Sequence, residues 1–421
     1  MKTTLNKLLQ DREDRDAFEN NLLKKHQDIT LVTVKSNYPG AHKNTIESHL
    51  IAYTIFLEVI KLLDVESIHS TMTSEGLIFF IASKMNAKEI KTITTNCEDT
   101  HALGRLADID VRTNFKIYSR ADFNILPRKC FLCDNDAVLC VRNRTHKLCD
   151  VLEFIDNKVY KAMFQNAVNE NKTVVLANIS TAALLEELCR PLGFGCVTVN
   201  SSGSHSDMNF LMMLQCFPII KKAVMELKQN HIENFFSLRE YGKVFEAKIF
   251  NLTNSVNTYK GALFLLLILN ACVLLCDDFS KLSNTIADFC KPLSEDFKNL
   301  KCSEVSLESF NKYGEYGIRG EALNGFENHF KTYLPMLENK TPMEKIILKI
   351  IFDTHDTTTI KRGGYKKLEE IRKMAKKANT PEEIKELNDF CVANNLSTGG
   401  TADKIIVLYS LYLIKHFYYN S

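Results

Sequence analysis

The sequence predicts an α/β or α+β domain over residues 1–168, followed by a mainly all-α domain over residues 169–421. Three observations predict it. The chain has 421 residues, more than one ordinary hydrophobic core serves. Its first part alternates β-rich apolar runs with helical stretches. From about Ala167 long apolar helical segments dominate and convincing strands become few.

In chain order, residues 5–25 have helical spacing with many charges and read as a surface helix. Residues 29–34 are β-rich, and Asn37-Tyr38-Pro39-Gly40 signals a turn. Residues 46–63 read as an apolar helix. Strands are expected at 77–82, 90–94 and 109–118, with a weaker candidate at 138–141, before a helix over 146–164. No low-complexity linker marks the join, which is placed near residue 168. The helical segments that follow are 181–189, 210–227, 245–252, 261–275, 343–352 and 402–416.

A content of 45% hydrophobic and 25% charged residues is that of an ordinary globular protein. The formal net charge of only +2 argues against a global attraction to nucleic acid or to an anionic membrane. The 13 cysteines, an odd number in a Lys-rich chain, suggest reduced thiols in a cytoplasm rather than a disulfide framework. The opening MKTTLNKLLQDREDRD lacks the apolar run of a signal peptide. The most apolar stretch, GALFLLLILNACVLLC, is shorter than the roughly 20 residues a membrane helix needs and is expected to be a buried helix. A cytoplasmic protein that binds neither membrane nor nucleic acid is the expectation.

The sharpest polar feature of the first part is HALGRLADIDV, residues 101–111. Asp108 and Asp110 are two apart in a strand-like segment, so their side chains share one face. Two converging carboxylates repel unless a cation lies between them, and Mg²⁺, which takes carboxylate and phosphate oxygens, is the natural choice. The competing reading is two solvated acids on an edge strand. Gly104 permits close backbone approach, Arg105 offers a phosphate fork, and Glu98 is a third carboxylate. Asn37, Pro39, Gly40 and Lys43 form a second glycine turn with a cation, while Arg12 and Arg15 add charge on the first helix. Further on, Cys130, Cys133, Cys140 and His146 have the makings of a structural zinc site. The loop is short and lacks a second Cys pair, so reduced thiols packed as small hydrophobes are the preferred reading. Arg142, Arg144 and His146 could instead line a phosphate pocket.

These residues, in the order N-x-P-G-x-x-K, E-x-x-H-x-L-G-R-L-x-D-I-D-V and R-x-C-x-x-C-x-x-x-A-x-x-C-x-R-x-R-x-H, resemble the holo-citrate lyase synthase family over about residues 5–165. That family is the apo-citrate lyase phosphoribosyl-dephospho-CoA transferases. The resemblance implies a nucleotidyltransferase-type domain. A serine hydroxyl of the citrate lyase acyl carrier protein (the gamma subunit) would attack a CoA-derived triphosphate donor and release diphosphate. Asp108 and Asp110 would hold Mg²⁺ as catalytic residues, and Arg105 would steady the phosphates. The resemblance lends nothing to zinc.

Five polar clusters interrupt the helical part: Ser202 to Met208, Asn257 to Ala262, Gly317 to Ala322, Asp353 to Gly364, and Asn395 to Asp403. Two of them set a small or glycine-rich turn before a buried helix, where free amides and the positive end of the helix dipole favour anions. Ordinary capping by Asn257 and Thr401 is the alternative for either cluster alone. Five clusters carrying Lys, Arg, Asp and Glu on one scaffold point to a polyphosphate site with metal.

Their order, G-S-H-x-D-M, N-T-x-K-G-A, G-x-R-G-E-A, R-G-G and N-x-S-x-G-G-x-A-D, resembles the triphosphoribosyl-dephospho-CoA synthase family over about residues 170–415. The resemblance implies that ATP loses adenine as its ribose passes to 3'-dephospho-CoA. An oxocarbenium-like state calls for a carboxylate. Asp207, Glu321, Asp356 and Asp403 are the candidates for that role or for Mg²⁺. Asp207 and Glu321 are the catalytic choices; Asp207, Asp356 and Asp403 are the metal choices. His205, Asn257, Lys260, Arg319, Arg362, Gly399 and Gly400 would bind substrate phosphates. The chain departs from that family's pattern at Thr198, Tyr259 and Thr358, where Asp, His and Asn are usual. A fusion of the two families is expected to make the prosthetic group of citrate lyase and attach it. The rival readings are a chain with one catalytic half and one degenerate carrier-docking half, and a zinc-containing nucleic-acid-binding protein.

Overall fold

A computed structural model describes residues 2–26, 28–165, 172–230, 232–298 and 304–419. The chain forms two compact units, residues 1–163 and 164–421. The join placed near residue 168 lies outside the described residues.

The first unit is an α/β domain. Helix α1 (Lys2–Lys25) precedes β1 (Thr30–Ser36), α2 (Ile46–Ile60), β2 (Val65–Thr73), β3 (Gly76–Ser83) and α3 (Ala87–Thr100). Then come β4 (Ala107–Arg112), β5 (Ile117–Tyr118), α4 (Ala137–Asn143) and α5 (Leu148–Tyr160). The strands form one antiparallel sheet in the order β2-β3-β1-β4-β5. The central strand β1 is rich in β-branched residues and wholly buried, as is β3. Thr45 caps α2, accepting the Ser48 amide at 3.3 Å, and Phe56 on α2 stacks on Phe79 of β3 at 4.0 Å between ring centroids. On the other face Leu22 and Leu23 of α1 pack against Leu31, Ile78, Phe80 and Ala82.

Two strand expectations fail. Residues 90–94 lie inside α3, because Asn86 caps that helix and Ile90, Thr94 and Cys97 recur on its buried side with helical period. Residues 138–141 fall in α4, whose Cys140 is buried while Val138, Leu139 and Val141 are exposed. The expected strand over 109–118 is two strands joined by a turn, with the Thr113 amide donating to Lys116 O at 2.9 Å. Strand β2 was not foreseen. Its sequence VESIHSTMT is half-buried on the sheet edge and carries little apolar alternation.

The second unit is mostly helical: α6 (Lys172–Cys189), α7 (Phe210–Gln215), α8 (Phe217–Met225), α9 (Phe235–Leu252), α10 (Lys260–Leu275), α11 (Leu282–Cys290), α12 (Ser294–Lys298) and α13 (Glu304–Tyr313). There follow α14 (Gly317–Leu323), α15 (Leu334–Glu338), α16 (Met343–Asp353), α17 (Thr357–Lys377), α18 (Pro381–Ala393) and α19 (Gly399–Ile414). Helices α6, α10 and α19 form the centre, buried along most of their length, and α10 is apolar almost throughout. Asn270 of α10 donates to Ser180 Oγ of α6 at 3.1 Å, a polar tie inside that core. Among the described residues no helix is long and apolar enough to cross a membrane.

Candidate functional site

In the first unit the register pairs Lys35 with Asp108 and Thr33 with Asp110 across β1 and β4. All four side chains therefore project from the sheet face that α1 covers. The Lys35 ammonium donates to Asp108 Oδ2 at 2.5 Å and to Asp110 Oδ2 at 3.3 Å. Asp108 and Asp110 thus converge, and the cation between them is a lysine that the sequence reading missed. The signal was present: residues 31, 33 and 35 alternate on one side of a buried strand, and a charge at the third position needs partners.

Basic groups surround this pair. Arg15 approaches Asp110 at 3.9 Å and pairs with Glu75 at 3.0 Å, and Arg12 reaches Glu75 at 3.5 Å. Arg128 lies 4.0 Å from Asp108 and pairs with Glu98. Lys43 sits near enough to feel Arg12, Glu75, Lys35 and Asp108; burial first, then Arg12, lowers its pKa. Burial would raise the Asp108 carboxyl, but the charge and hydrogen bond of Lys35, with Arg128 and Lys91, hold it below its ordinary value. The result is a cationic cradle around carboxylates on a rigid sheet.

Other predicted residues sit differently. Glu98, 1% exposed, accepts the Ile109 amide at 3.2 Å and binds Arg120 and Arg128, so it braces the site from behind β4. Gly104 turns tightly against the end of α3; a Cβ there would lie 2.2 Å from Cys97 O. Arg105 donates to Lys129 O and stacks 4.5 Å over the Phe131 ring, directed at the cysteine loop. Arg142 and Arg144 are exposed at the end of α4.

In the second unit the polar clusters meet around the starts of α10, α17 and α19. Arg362 donates to Ser204 O at 2.8 Å, to Asn395 Oδ1 at 3.2 Å and to His205 Nδ1 at 3.0 Å. Arginine only donates, so Nδ1 accepts and the His205 proton is on Nε2, which donates to Ser397 Oγ at 3.0 Å. Burial, then Arg362, keeps His205 below the usual histidine pKa. Asp207, more than half exposed, stands 3.7 Å from His205.

Asp356 is a capping residue. Its buried carboxylate accepts the amides of Thr358 and Thr359 at 3.0 Å and of Thr401 at 3.2 Å, tying the starts of α17 and α19 together. Gly400 adds a fourth amide, and a Cβ on Gly400 would lie 3.3 Å from Asp356 Oδ2. Asp403 faces the start of α10: a Cβ on Gly261 would fall 1.9 Å from its Oδ2. Burial raises the Asp403 pKa well above its ordinary value, with the Asp356 and Glu187 carboxylates adding to it and the Ala262 amide opposing. Lys260, beside this contact, pairs with Glu246 at 2.5 Å, and with Asn257 and Thr258 it lines a small pocket. Gly399 packs on Thr358.

Glu321 lines an open pocket with Tyr316, Gly317, Gly320, Asn324 and His355. Lys404, fully buried, donates to it at 2.5 Å. Burial would raise Glu321, but the charge and hydrogen bond of Lys404 outweigh it and lower the pKa. Burial pushes His329 down to about 4, so it stays neutral and bonds Lys404 O at 3.0 Å. Lys404 was not predicted, since a lysine one turn inside an apolar helix carries no local mark of its partner. Arg319 pairs with Asp296, 3.5 Å away, which also binds Arg239. Asp207, Asp356 and Asp403 do not gather into one metal-sized group among the described residues.

Each unit carries its own cluster of carboxylates and cations, Asp108, Asp110 and Lys35 in the first and Glu321 and Lys404 in the second. Comparison with known proteins supplies the class, a transferase. Residues 3–162 match the family described as apo-citrate lyase phosphoribosyl-dephospho-CoA transferase, and residues 174–421 match ATP:dephospho-CoA triphosphoribosyl transferase. The chain belongs to both families, as a fusion of the two. Protein CitXG of Haemophilus influenzae is 26% identical over 96% of this chain and 94% of its own length. Protein CitXG of Leuconostoc mesenteroides is 28% identical over 96% and 95%. The apo-citrate lyase phosphoribosyl-dephospho-CoA transferase of Shigella flexneri is 32% identical over 34% of this chain and 82% of its own length.

Proposed function

We propose that the second domain, residues 169–421, makes triphosphoribosyl-dephospho-CoA and that the first, residues 1–168, attaches it to a carrier. In the second domain the ribose of ATP passes to a hydroxyl of 3'-dephospho-CoA, adenine leaves, and the hydroxyl proton leaves with it. In the first, a serine hydroxyl of the citrate lyase acyl carrier protein attacks the phosphoryl group next to the new ribose. An O–P bond forms, the bridging O–P bond breaks, and diphosphate departs.

The carrying observation is the convergence of Asp108 and Asp110 on Lys35 inside a ring of arginines and lysines. Arg12, Arg15, Lys35, Lys43 and Arg128 gather here beside Asp108, Asp110, Glu75, Glu98 and Glu19, so a polyanionic donor would meet cations that carboxylates already hold in position. Two carboxylates on one face also suit Mg²⁺, which takes one or two such ligands and completes its shell with water and phosphate. Asp108 and Asp110 would hold it, and the ion would offset charge on the phosphates. The sheet fixes the two acids in register, Lys35 remains as a second cation, and Arg128, anchored by Glu98, meets the donor from the side.

In the second domain Arg362 and His205, with Lys260, would hold a triphosphate. Glu321 opens onto a pocket as a carboxylate and is the group we assign to the ribosyl cation; Asp356 is occupied by backbone amides and serves the fold. The order of reactions follows from the chemistry, since the product of the second domain is the donor for the first. The experiment is mass spectrometry of the apo carrier incubated with the protein, ATP, 3'-dephospho-CoA and Mg²⁺, with adenine measured in parallel. Asp108→Ala should leave the carrier unmodified while adenine release continues. Carrier modification at the wild-type rate in that variant would remove the first site from the reaction.

A further inference from the structure

We propose that Cys130, Cys133, Cys140 and His146 bind one zinc ion, forming a closed structural site that holds Arg128 at the carboxylate pocket. The preferred sequence reading, thiols packed as small hydrophobes, does not fit the loop's surroundings. Leu126, Val138, Leu139 and Val141 are 52–79% exposed, and Cys130, Cys133 and His146 are only half-buried. Apart from buried Cys140, the loop has no core of its own, and a segment that cannot bury enough apolar surface needs a covalent or metal staple.

The ligand geometry supplies one. The three Sγ atoms and a ring nitrogen of His146 all lie within 4.8 Å of one another. Cys133 Sγ is 3.5 Å from Cys140 Sγ and 3.3 Å from His146 Nε2. A tetrahedral ion with Zn–S of about 2.3 Å and Zn–N of about 2.0 Å has ligand–ligand edges of roughly 3.5–3.8 Å. A hairpin-like turn presents the first two cysteines: the Cys130 amide donates to Asn135 O at 2.8 Å and the Ala137 amide to Arg128 O at 2.9 Å. The Leu132 amide points at Cys130 Sγ from 3.5 Å, the outer-shell bond that orients a thiolate ligand. The first turn of α4 delivers Cys140, and His146 follows the left-handed Arg144 that ends the helix. Three thiolates and an imidazole favour zinc over the hard cations, and four protein ligands leave no open position for catalysis. The thiols release their protons as the ion binds.

The consequence for the pocket is direct. Arg128 begins this loop and reaches Glu98, Ala107 O and Asp108, while Arg105 is held by Lys129 O and the Phe131 ring inside it. The test is elemental analysis of the full-length chain, purified without chelator or metal-affinity resin. About one zinc per chain is expected in the wild type and in Cys149→Ser, an exposed thiol outside the group, and far less than one in Cys133→Ser and His146→Gln. Cobalt(II) added to the zinc-free wild type should give thiolate charge-transfer absorption that Cys133→Ser lacks, a readout that holds even if a variant folds poorly. Wild-type protein free of zinc, or carrying iron instead, would overturn the assignment, as would zinc retained in both variants.

Discussion

At the scale of the residue, the most informative pair is Lys404 and Glu321, because neither makes sense alone. Lys404 is fully buried and its ammonium has Glu321 as its charged partner at 2.5 Å. Removing one member of a buried pair leaves an uncompensated charge and costs about 3–5 kcal/mol. Lys404→Met should therefore destabilise the second unit by roughly 3 kcal/mol in urea unfolding and suppress adenine release. The pH dependence gives the sign. In the wild type the Glu321 carboxyl lies below its ordinary 4.5, so its contribution is full above that pH and is lost as pH falls through the folded value. His329, held near 4, works in the same direction: the unfolded chain takes up its proton first, and stability declines below about pH 6.5. In Lys404→Met, burial without the lysine raises Glu321, and stability around it should increase as pH falls. An acid limb unchanged between variant and wild type would show that the pair is not coupled. Such pairs are hard to read in a sequence, since 83 positions separate the partners. Asp108 and Asp110 were legible because strand periodicity is local.

At the scale of the element, the start of α10 shows local propensity overruled by tertiary contact. Alanine is a better helix former than glycine by about 1 kcal/mol, so Gly261→Ala should strengthen an isolated helix. Here the added methyl would meet Asp403 Oδ2 at 1.9 Å and push that carboxylate away from the Ala262 amide. We expect helical content by circular dichroism to be unchanged and adenine release to fall roughly tenfold or more, the effect of displacing one site group by about 1.4 kcal/mol. Full activity in Gly261→Ala would detach the Gly261–Asp403 contact from the site. The same contrast explains the misread segment 90–94. Five residues rich in Ile and Thr look β-like, but the helix signal lies in the Asn86 cap and the longer period that includes Cys97.

At the scale of the whole molecule, each unit builds its own core, and the proposed reactions are joined by a diffusible intermediate. Asp108→Ala and Lys404→Met disable different units in this scheme, so mixing the two inactive variants should restore carrier modification. The mixture should run more slowly than the wild type at low protein concentration, where a tether raises the local supply of intermediate. No modification in the mixture, despite measured adenine release, would show that the intermediate does not pass between molecules. The sequence by itself determined the fold class of both parts, the apolar helices α10 and α19 and the shared face of Asp108 and Asp110, because these follow from spacing along the chain. Only the tertiary structure decided that Lys35 and Lys404 are the counter-ions, that Asp356 caps two helices, that Arg319 turns to Asp296, and that three thiols and an imidazole close on one point. Those are contacts between distant segments, fixed by how sheet and helices pack and not by the order of residues in any one of them.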